Sequence, residues 1–331
     1  MFSLYCLLGC VLLQESAHAA LLIDTPLILS HDAASGYLSD KDQLVQELVV
    51  RYSKTQTQPM GEQLTCGARA FDYRPFVEED GTTVIAHHGS TVIDVLMSDT
   101  ITELKAWFAS GAASERDRED VVLLYVSHID GRDCDGGGCG REPVKAVLEA
   151  AGIAFIEDCS VLSTLTYDDA RRMGSLTDSG PGSILAVFDC TSENYDSTVN
   201  CYGFVPDGVY SSSSVGGLRK DKYACYGDDE NKQVAFSSLD RYLTNATELL
   251  LRPEGLLWMT QAHWQSDTAS VPMGLVHNSS VTEDERRSGV NGYLATAMEG
   301  GRMSSLNFLE LDEVCDGGDR ILQLLRARDE N

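Results

Sequence analysis

Three short stretches carry side chains suited to acid–base and anion chemistry. His31 and Asp32 follow the apolar run Leu27-Ile28-Leu29. Asp72 and Arg74 lie in GARAFDYR at 67–74, with His87 and His88 closing the next apolar run, and Asp312 ends LNFLELD at 306–312. All of them stand at the C-terminal ends of predicted strands, where parallel barrels carry their catalytic groups. Imidazoles titrate near neutral pH, so two of them can divide the work of base and acid. The period of a strand places Ala68, Ala70, Asp72 and Arg74 on one face and Arg69, Phe71 and Tyr73 on the other. Two small residues, then an acid and a base, suit a strand whose upper end enters a polar site. A surface ion pair on an edge strand accounts for Asp72 and Arg74 equally well. His31 also suits a hydrogen-bonded loop position, and Asp312 a helix cap. The His87-His88 pair suits packing at a barrel mouth, with at most one ring pointing inward.

The elements that must position these residues alternate in type. Helical spacing runs through 42–52, strands are predicted at 67–77 and 83–87, and a helix at 97–110 presents Ile101, Leu104 and Phe108. Then come a strand at 120–128, a helix at 142–151, a strand at 183–189 and a helix at 239–252. Strands at 256–262 and 306–312 precede a last helix, 320–328, striped by Ile321, Leu324 and Leu325. Such alternation implies α/β architecture with a parallel sheet, open and doubly wound or closed as a barrel. No G-x-G-x-x-G follows the first strand and no G-x-x-x-x-G-K occurs, which removes the commonest nucleotide-binding arguments. The 331-residue length fits a single barrel domain over 20–331. Its stretch 191–235, rich in Ser, Gly, Asp, Tyr and Cys, reads as a disulfide-tied insertion.

Composition excludes some partners. Hydrophobic residues make up 43% and charged residues 23%, enough for a sizeable core, but the net charge is −26. That charge excludes a nucleic-acid partner, which needs basic surface, and tight electrostatic binding to anionic headgroups. It suits solubility in an extracellular medium. Residues 1–19 read as a signal peptide: Leu4 to Leu13 is almost wholly apolar, and Ala17-His18-Ala19 supplies small residues for cleavage. No Lys or Arg precedes the apolar run. The mature chain keeps Cys66, Cys134, Cys139, Cys159, Cys190, Cys201, Cys225 and Cys315, an even number as a disulfide framework requires, with the pairing open. No C-x-x-C pair supports zinc. Asn245 and Asn278 are glycosylation acceptors, and secretion is the expected localisation. Tyr195, Tyr202 and Phe204 in the insertion suit either packing or transient contact with a membrane surface.

The chain resembles the X-domain phospholipases C, in their bacterial phosphatidylinositol-specific form. LILSHDAASGYL matches their His-Asp motif, Gly67 to Arg74 their G-x-R-x-F-D-x-R strand, and VIAHHG at 84–89 their strand ending in His-Gly. Asp312 stands at their late aspartate. The likeness covers 25–130 and, more weakly, 304–314. It implies a TIM-like (β/α) barrel, distorted or incompletely closed, and a secreted phosphodiesterase acting on a phospholipid or related phosphodiester. It also implies roles: His31 the general base, Asp312 holding its ring, Arg74 on the phosphoryl oxygens, His88 the acid, and Asp32 and Asp72 positioning Arg74 and the acid. Calcium-dependent relatives carry a carboxylate where Arg74 stands, so the resemblance implies no cofactor and no metal. The Asp130–Asp135 loop lacks an EF-hand register and does not restore one. Ser127 or His128, and Asp189, occupy positions where the inositol enzymes carry basic residues, which leaves the headgroup open. Two other readings are a non-catalytic secreted binding module on the same barrel and a metal-dependent glycerophosphodiester or sphingomyelin phosphodiesterase. The latter needs an acid where Arg74 stands.

Overall fold

A computed structural model describes residues 20–38, 50–132, 140–176, 181–188, 190, 257–263 and 280–329. The signal peptide, most of the helix expected at 42–52, the insertion, the helix at 239–252, Asp189, Asn245, Asn278 and Cys134, Cys139, Cys201 and Cys225 lie outside them.

In chain order the elements are β1 (Leu27–Ser30), α1 (Met60–Thr65), β2 (Ala70–Tyr73), β3 (Pro75–Val77), β4 (Val84–His88), β5 (Thr91–Ile93) and α2 (Met97–Ala109). There follow β6 (Val121–Val126), β7 (Asp130–Gly131), α3 (Arg141–Ala150), β8 (Ala154–Ile156), α4 (Tyr167–Met173) and β9 (Ser183–Phe188). Last come β10 (Met259–Gln261), α5 (Val281–Ser288), α6 (Val290–Glu299), β11 (Phe308–Leu311) and α7 (Gly318–Asp329). The helices α1, α4 and α5 and the short strands β5, β7 and β8 carry too few periodic positions to have been expected from the pattern. By contrast, α6 does set Val290, Leu294, Ala297 and Met298 at helical spacing and was not expected. None of the described helices is long and apolar enough to cross a membrane.

Seven strands pair in the order β10-β11-β1-β2-β6-β9-β8, every pair parallel. The first strand thus lies between the second and the last, the arrangement of a barrel rather than of a doubly wound sheet. β8 lies outside β9 although it precedes it in the chain, and the edges β8 and β10 do not meet among the described residues. The fold is α/β, a distorted barrel left open over that span.

Strand alternation sorts the apolar side chains into two cores. Leu27, Leu29, Ala70, Leu123, Tyr125, Leu185, Val187 and Phe308 pack in one. Ile28, Phe71, Tyr73, Val122, Leu124, Ile184, Leu309 and Leu311 pack in the other, with Ile101, Leu104 and Phe108 of α2 and Ile321 and Leu325 of α7. The helix stripes and the strand period therefore meet, as the 3.6 and 2.0 periods require.

The strand expected over 67–77 is two strands. Pro75 brings no N–H and disfavours helical backbone at the residue before it. At Arg74 the chain leaves the barrel for a side sheet ordered β5-β4-β3-β7. The Tyr73 carbonyl still accepts from Ser127 N, while that of Arg74 accepts from His87 N. Ala68 precedes the strand and packs with Phe71 and Tyr73, not with Ala70 as strict alternation would have it.

Two disulfides lie within the described residues, Cys66–Cys315 and Cys159–Cys190. The first joins the end of α1 to the loop between β11 and α7. Gly67 beside it has φ +111°, and a Cβ there would stand 2.7 Å from the Gly318 carbonyl oxygen. Only glycine allows this approach, which gives the leading Gly of GARAFDYR a physical reason. Because Cys66–Cys315 spans 249 residues of sequence, it restricts the unfolded chain severely. Replacing both cysteines by alanine is expected to cost about 2–5 kcal/mol, read as a lower denaturation midpoint with a steeper slope, since the released unfolded chain exposes more surface.

Candidate active site

The polar groups form one layer of the barrel. Register sets Leu29 beside Ala70 and Glu310, and Glu310 beside Gln261. Two residues further along the same strand faces come His31, Asp72, Asp312 and His263. Where the layer below holds Leu29, Ala70 and Leu123, this one brings acids and imidazoles to the C-terminal mouth.

The chain turns sharply after His31. Asp32 adopts left-handed angles, φ 42° and ψ 49°, which aspartate tolerates better than most side chains, and its N–H donates to Asp72 Oδ2 at 3.2 Å. Thr55 and Gln56 hold the turn from outside. Thr55 Oγ1 and Gln56 Nε2 donate to the His31 carbonyl, and Gln56 also binds Leu311 O and Val314 N. The ends of β1 and β11 are thereby locked together.

Asp32 collects the cationic groups. Its Oδ1 lies 2.8 Å from Arg74 Nη1, and its Oδ2 lies 3.1 Å from His31 Nε2 and 3.1 Å from His88 Nε2. Two imidazoles thus converge on one carboxylate oxygen and a guanidinium on the other, in a pocket where the Asp32 side chain is 1% exposed. Arg74 Nη2 reaches Asp72 Oδ2 at 2.8 Å, and Asp72 Oδ1 accepts from Ser127 Oγ at 3.0 Å, with His128 Nδ1 2.9 Å from that hydroxyl. His31 Nδ1 lies 2.7 Å from Asp312 Oδ1. His88 Nδ1 lies 2.7 Å from the Ser53 carbonyl oxygen. Since a carbonyl only accepts, Nδ1 carries the hydrogen there, which leaves Nε2 as the nitrogen that faces Asp32.

All six expected residues, His31, Asp32, Asp72, Arg74, His88 and Asp312, therefore sit in one continuous network. Of the two adjacent histidines it is His88 that enters. His87 is taken up by the carbonyls of Gly89 and His128 and packs against Phe76 in the side sheet. Asp312 turns to His31 rather than capping α7. Sequence reasoning missed His263 and Glu310. His263 Nε2 lies 3.3 Å from Glu310 Oε2, and its ring stacks on His31 at 4.2 Å and 18°. Both were within reach of the rule that found Asp312: His263 closes a strand, and Glu310 precedes Asp312 by one strand period.

Burial and charge set the acids apart. Burial pushes Asp72 up, but the Arg74 charge, the His128 ring and hydrogen bonds from Arg74 and the Asp32 N–H outweigh it, holding the carboxyl below its ordinary 3.8. Burial also pushes Asp312 up, and there the charges of Glu285, Asp32, Glu310 and Glu313 add to it, raising the carboxyl well above that value. One acid is thus held firmly anionic, while the other stays anionic only where a positive or donating group stands against it.

Two groups bring metal-ligating atoms within 4.8 Å of one another: His31, His263 and Glu310, and His31, Asp32 and Asp72. The stacked rings of the first lie in nearly parallel planes, so their nitrogen lone pairs cannot meet at one ion. In the second, Arg74 already occupies both carboxylates. At the opposite end of the strands a cavity of about 400 Å³ is lined by Leu27, Arg69, Asp120, Tyr167 and Arg326. Its arginines are neutralised by Asp117 and Asp120, and no histidine reaches it.

No family model and no curated protein matches the sequence. Solved structures do share its fold. A double mutant of the phosphatidylinositol-specific phospholipase C of Staphylococcus aureus aligns with a TM-score of 0.58 at 12% identity, covering 91% of this chain and 93% of that one. A second structure of that enzyme, concerning the modulation of its membrane binding, aligns at 0.57 and 13%, with the same coverage. At such identity the likeness concerns the fold, and the barrel is that of these phospholipases C.

The two shifted acids predict opposite pH behaviour. The raised Asp312 carboxyl lends most stability below its ordinary 3.8 and loses it as pH climbs through the raised value. The wild type should therefore lose stability relative to Asp312→Asn as pH rises from about 4 towards neutrality. The lowered Asp72 carboxyl lends stability above 3.8 and loses it in stronger acid, so the deficit of Asp72→Asn should shrink on acidification. Urea unfolding of the three proteins from acid well below pH 3.8 up to neutrality checks both signs.

Proposed function

We propose that this protein is a secreted, metal-independent phosphodiesterase of the phospholipase C type, cleaving an inositol phospholipid or related phosphodiester. One observation carries the reading: His31 Nε2 and His88 Nε2 converge on Asp32, with Arg74 beside them and Asp312 behind His31. The barrel shared with phospholipases C supports it, as do two disulfides, which suit export to an oxidising compartment.

In the proposed reaction His31 Nε2 takes the proton of a substrate hydroxyl next to the phosphodiester. That oxygen attacks phosphorus, and the bond to the alcohol leaving group breaks. His88, cationic at this stage, gives its Nε2 proton to the departing alkoxide. Asp312 stabilises the imidazolium that forms on His31. Arg74 receives the charge that gathers on the phosphoryl oxygens, its orientation fixed by Asp32 and Asp72. The product is a cyclic phosphodiester, and water attack with the two imidazoles in exchanged roles would open it.

Arg74 speaks against a metal-dependent phosphodiesterase, because a fixed positive charge stands where a second acid would be needed. A binding module without turnover would not require two titratable imidazoles on one carboxylate. The mature chain should be incubated with phosphatidylinositol, glycosylated inositol lipids, lysophosphatidylcholine and sphingomyelin, with and without EDTA, and products followed by phosphorus NMR. A cyclic phosphate that survives EDTA is expected. Activity abolished by EDTA would establish the metal-dependent reading, and silence on every lipid the binding module. His31→Ala and His88→Ala should each lower kcat by at least about 100-fold in a folded protein; full activity in His88→Ala would remove it from the acid's role.

A further inference from the structure

His263 is fully buried, lies two residues beyond β10 and belongs to none of the roles above. Its ring lies flat against His31, with centroids 4.2 Å apart and planes 18° off parallel. Both its nitrogens face carboxylates. Nε2 is 3.3 Å from Glu310 Oε2, and Nδ1 is 3.6 Å from Asp312 Oδ2, an ion-pair rather than a hydrogen-bond distance. Asp312 is shared: one oxygen meets His31 and the other faces His263.

The surroundings make this arrangement necessary. Four further carboxylates act on Asp312: Glu310 on its own strand, Glu313 just beyond, Asp32 after β1, and Glu285 on α5. Glu313 is paired with Arg286 of α5 and bonded to Thr57. Asn291 of α6 donates to the backbone carbonyls of Asp312 and Glu313, not to the Asp312 carboxylate. Arg74, between β2 and β3, is bound to Asp32 and Asp72. A carboxylate placed among so many like charges away from water takes up a proton unless a positive or donating group stands against it. On the His31 side that group is the base itself, whose charge comes and goes in turnover.

We propose that His263 is a positioning residue for the base: spanning Glu310 and the outer oxygen of Asp312, it keeps the Asp312 carboxylate anionic and aligned against His31. Both ring nitrogens satisfy their carboxylates only when both carry hydrogen. The stacked contact with His31 then couples the two rings, since each bears on the charge of the other through Asp312. Removing the His263 donor lets Asp312 take a proton, and a neutral Asp312 stabilises the His31 imidazolium less. His31 then becomes a weaker base.

The consequence for turnover rests on the phosphodiesterase reading, but the coupling can be read without activity. The full mature chain would be labelled with nitrogen-15 at histidine, and ring signals followed against pH in the wild type, His263→Phe and His263→Gln. Phe keeps the stacked ring and loses both donors; Gln keeps one amide donor. In the wild type near neutral pH, His263 should show hydrogen on both nitrogens; a bare Nδ1 would overturn the proposal even if neither variant folded. In His263→Phe the His31 midpoint should fall by about one unit, a tenfold loss of basicity, and His263→Gln should recover part of it. An unchanged or raised midpoint in folded His263→Phe would also overturn it. On an active substrate the acidic limb of the rate profile should move with that midpoint, kcat falling while KM stays. If no lipid is turned over yet the His31 midpoint falls, the positioning role stands and the phosphodiesterase reading fails. If turnover is intact and the midpoint does not move, the reverse holds.

Discussion

The site depends on one carboxylate, Asp32, whose side chain is almost wholly buried. Asp32 is held in a left-handed turn by its own N–H on Asp72, and its two oxygens gather Arg74, His31 and His88. An unpaired carboxylate at that depth would be costly, so the turn, the guanidinium and both rings are mutually required. Removing any one leaves the others with uncompensated charge. That reciprocity explains why residues from β1, β2 and β4, which belong to two different sheets, arrive at one point.

The second sheet is the device that makes this possible. A barrel strand alone delivers one residue per period to the mouth, and His31, Asp72, Asp312 and His263 are so delivered. His88 comes by another route. Pro75 ends the Ala70–Tyr73 strand and turns the chain outward, and the hairpin that returns through Val84 places His88 over the rim, where the Ser53 carbonyl sets its tautomer. Arg74 sits at the junction, its backbone paired with the side sheet and its guanidinium with the barrel acids.

Much of this was legible in the sequence. Apolar runs ending in His-Asp, Asp-x-Arg and His-His announce strands whose upper ends are polar, and Asp312 repeats the signal near the C-terminus. Alternation announced a parallel α/β sheet but left open sheet and barrel undecided, and it was the likeness to the phospholipases C that implied an incompletely closed barrel. The displacement of β8 was not legible, because the short strand Ala154–Ile156 offers only three residues to a periodic reading. The break at Arg74 escaped because a continuous alternation looks the same whether or not the chain changes sheets. Which histidine of the pair points inward was undecidable from type alone, since it depends on which face of β4 meets the barrel. His263 escaped for a different reason: its strand reads as ordinary core, and its partner Glu310 becomes visible only when the register sets β10 beside β11.

The charge balance of the layer limits what can bind there. Among the described residues, Asp32, Asp72, Asp312 and Glu310 are countered by one permanent cation, Arg74, together with three imidazoles, His31, His88 and His263. A phosphodiester brings another negative charge to a pocket in which Arg74 is already doubly paired. Its entry must therefore either draw Arg74 and the rings away from Asp32 or load protons onto the imidazoles. The lowered Asp72 and the raised Asp312 divide that task. Asp72 stays ionised to orient Arg74 through any change in pH near neutrality, whereas Asp312 responds to the charge on the ring it faces. On the proposed function, anion binding at this mouth would thus be coupled to proton uptake by the shape of the barrel layer itself.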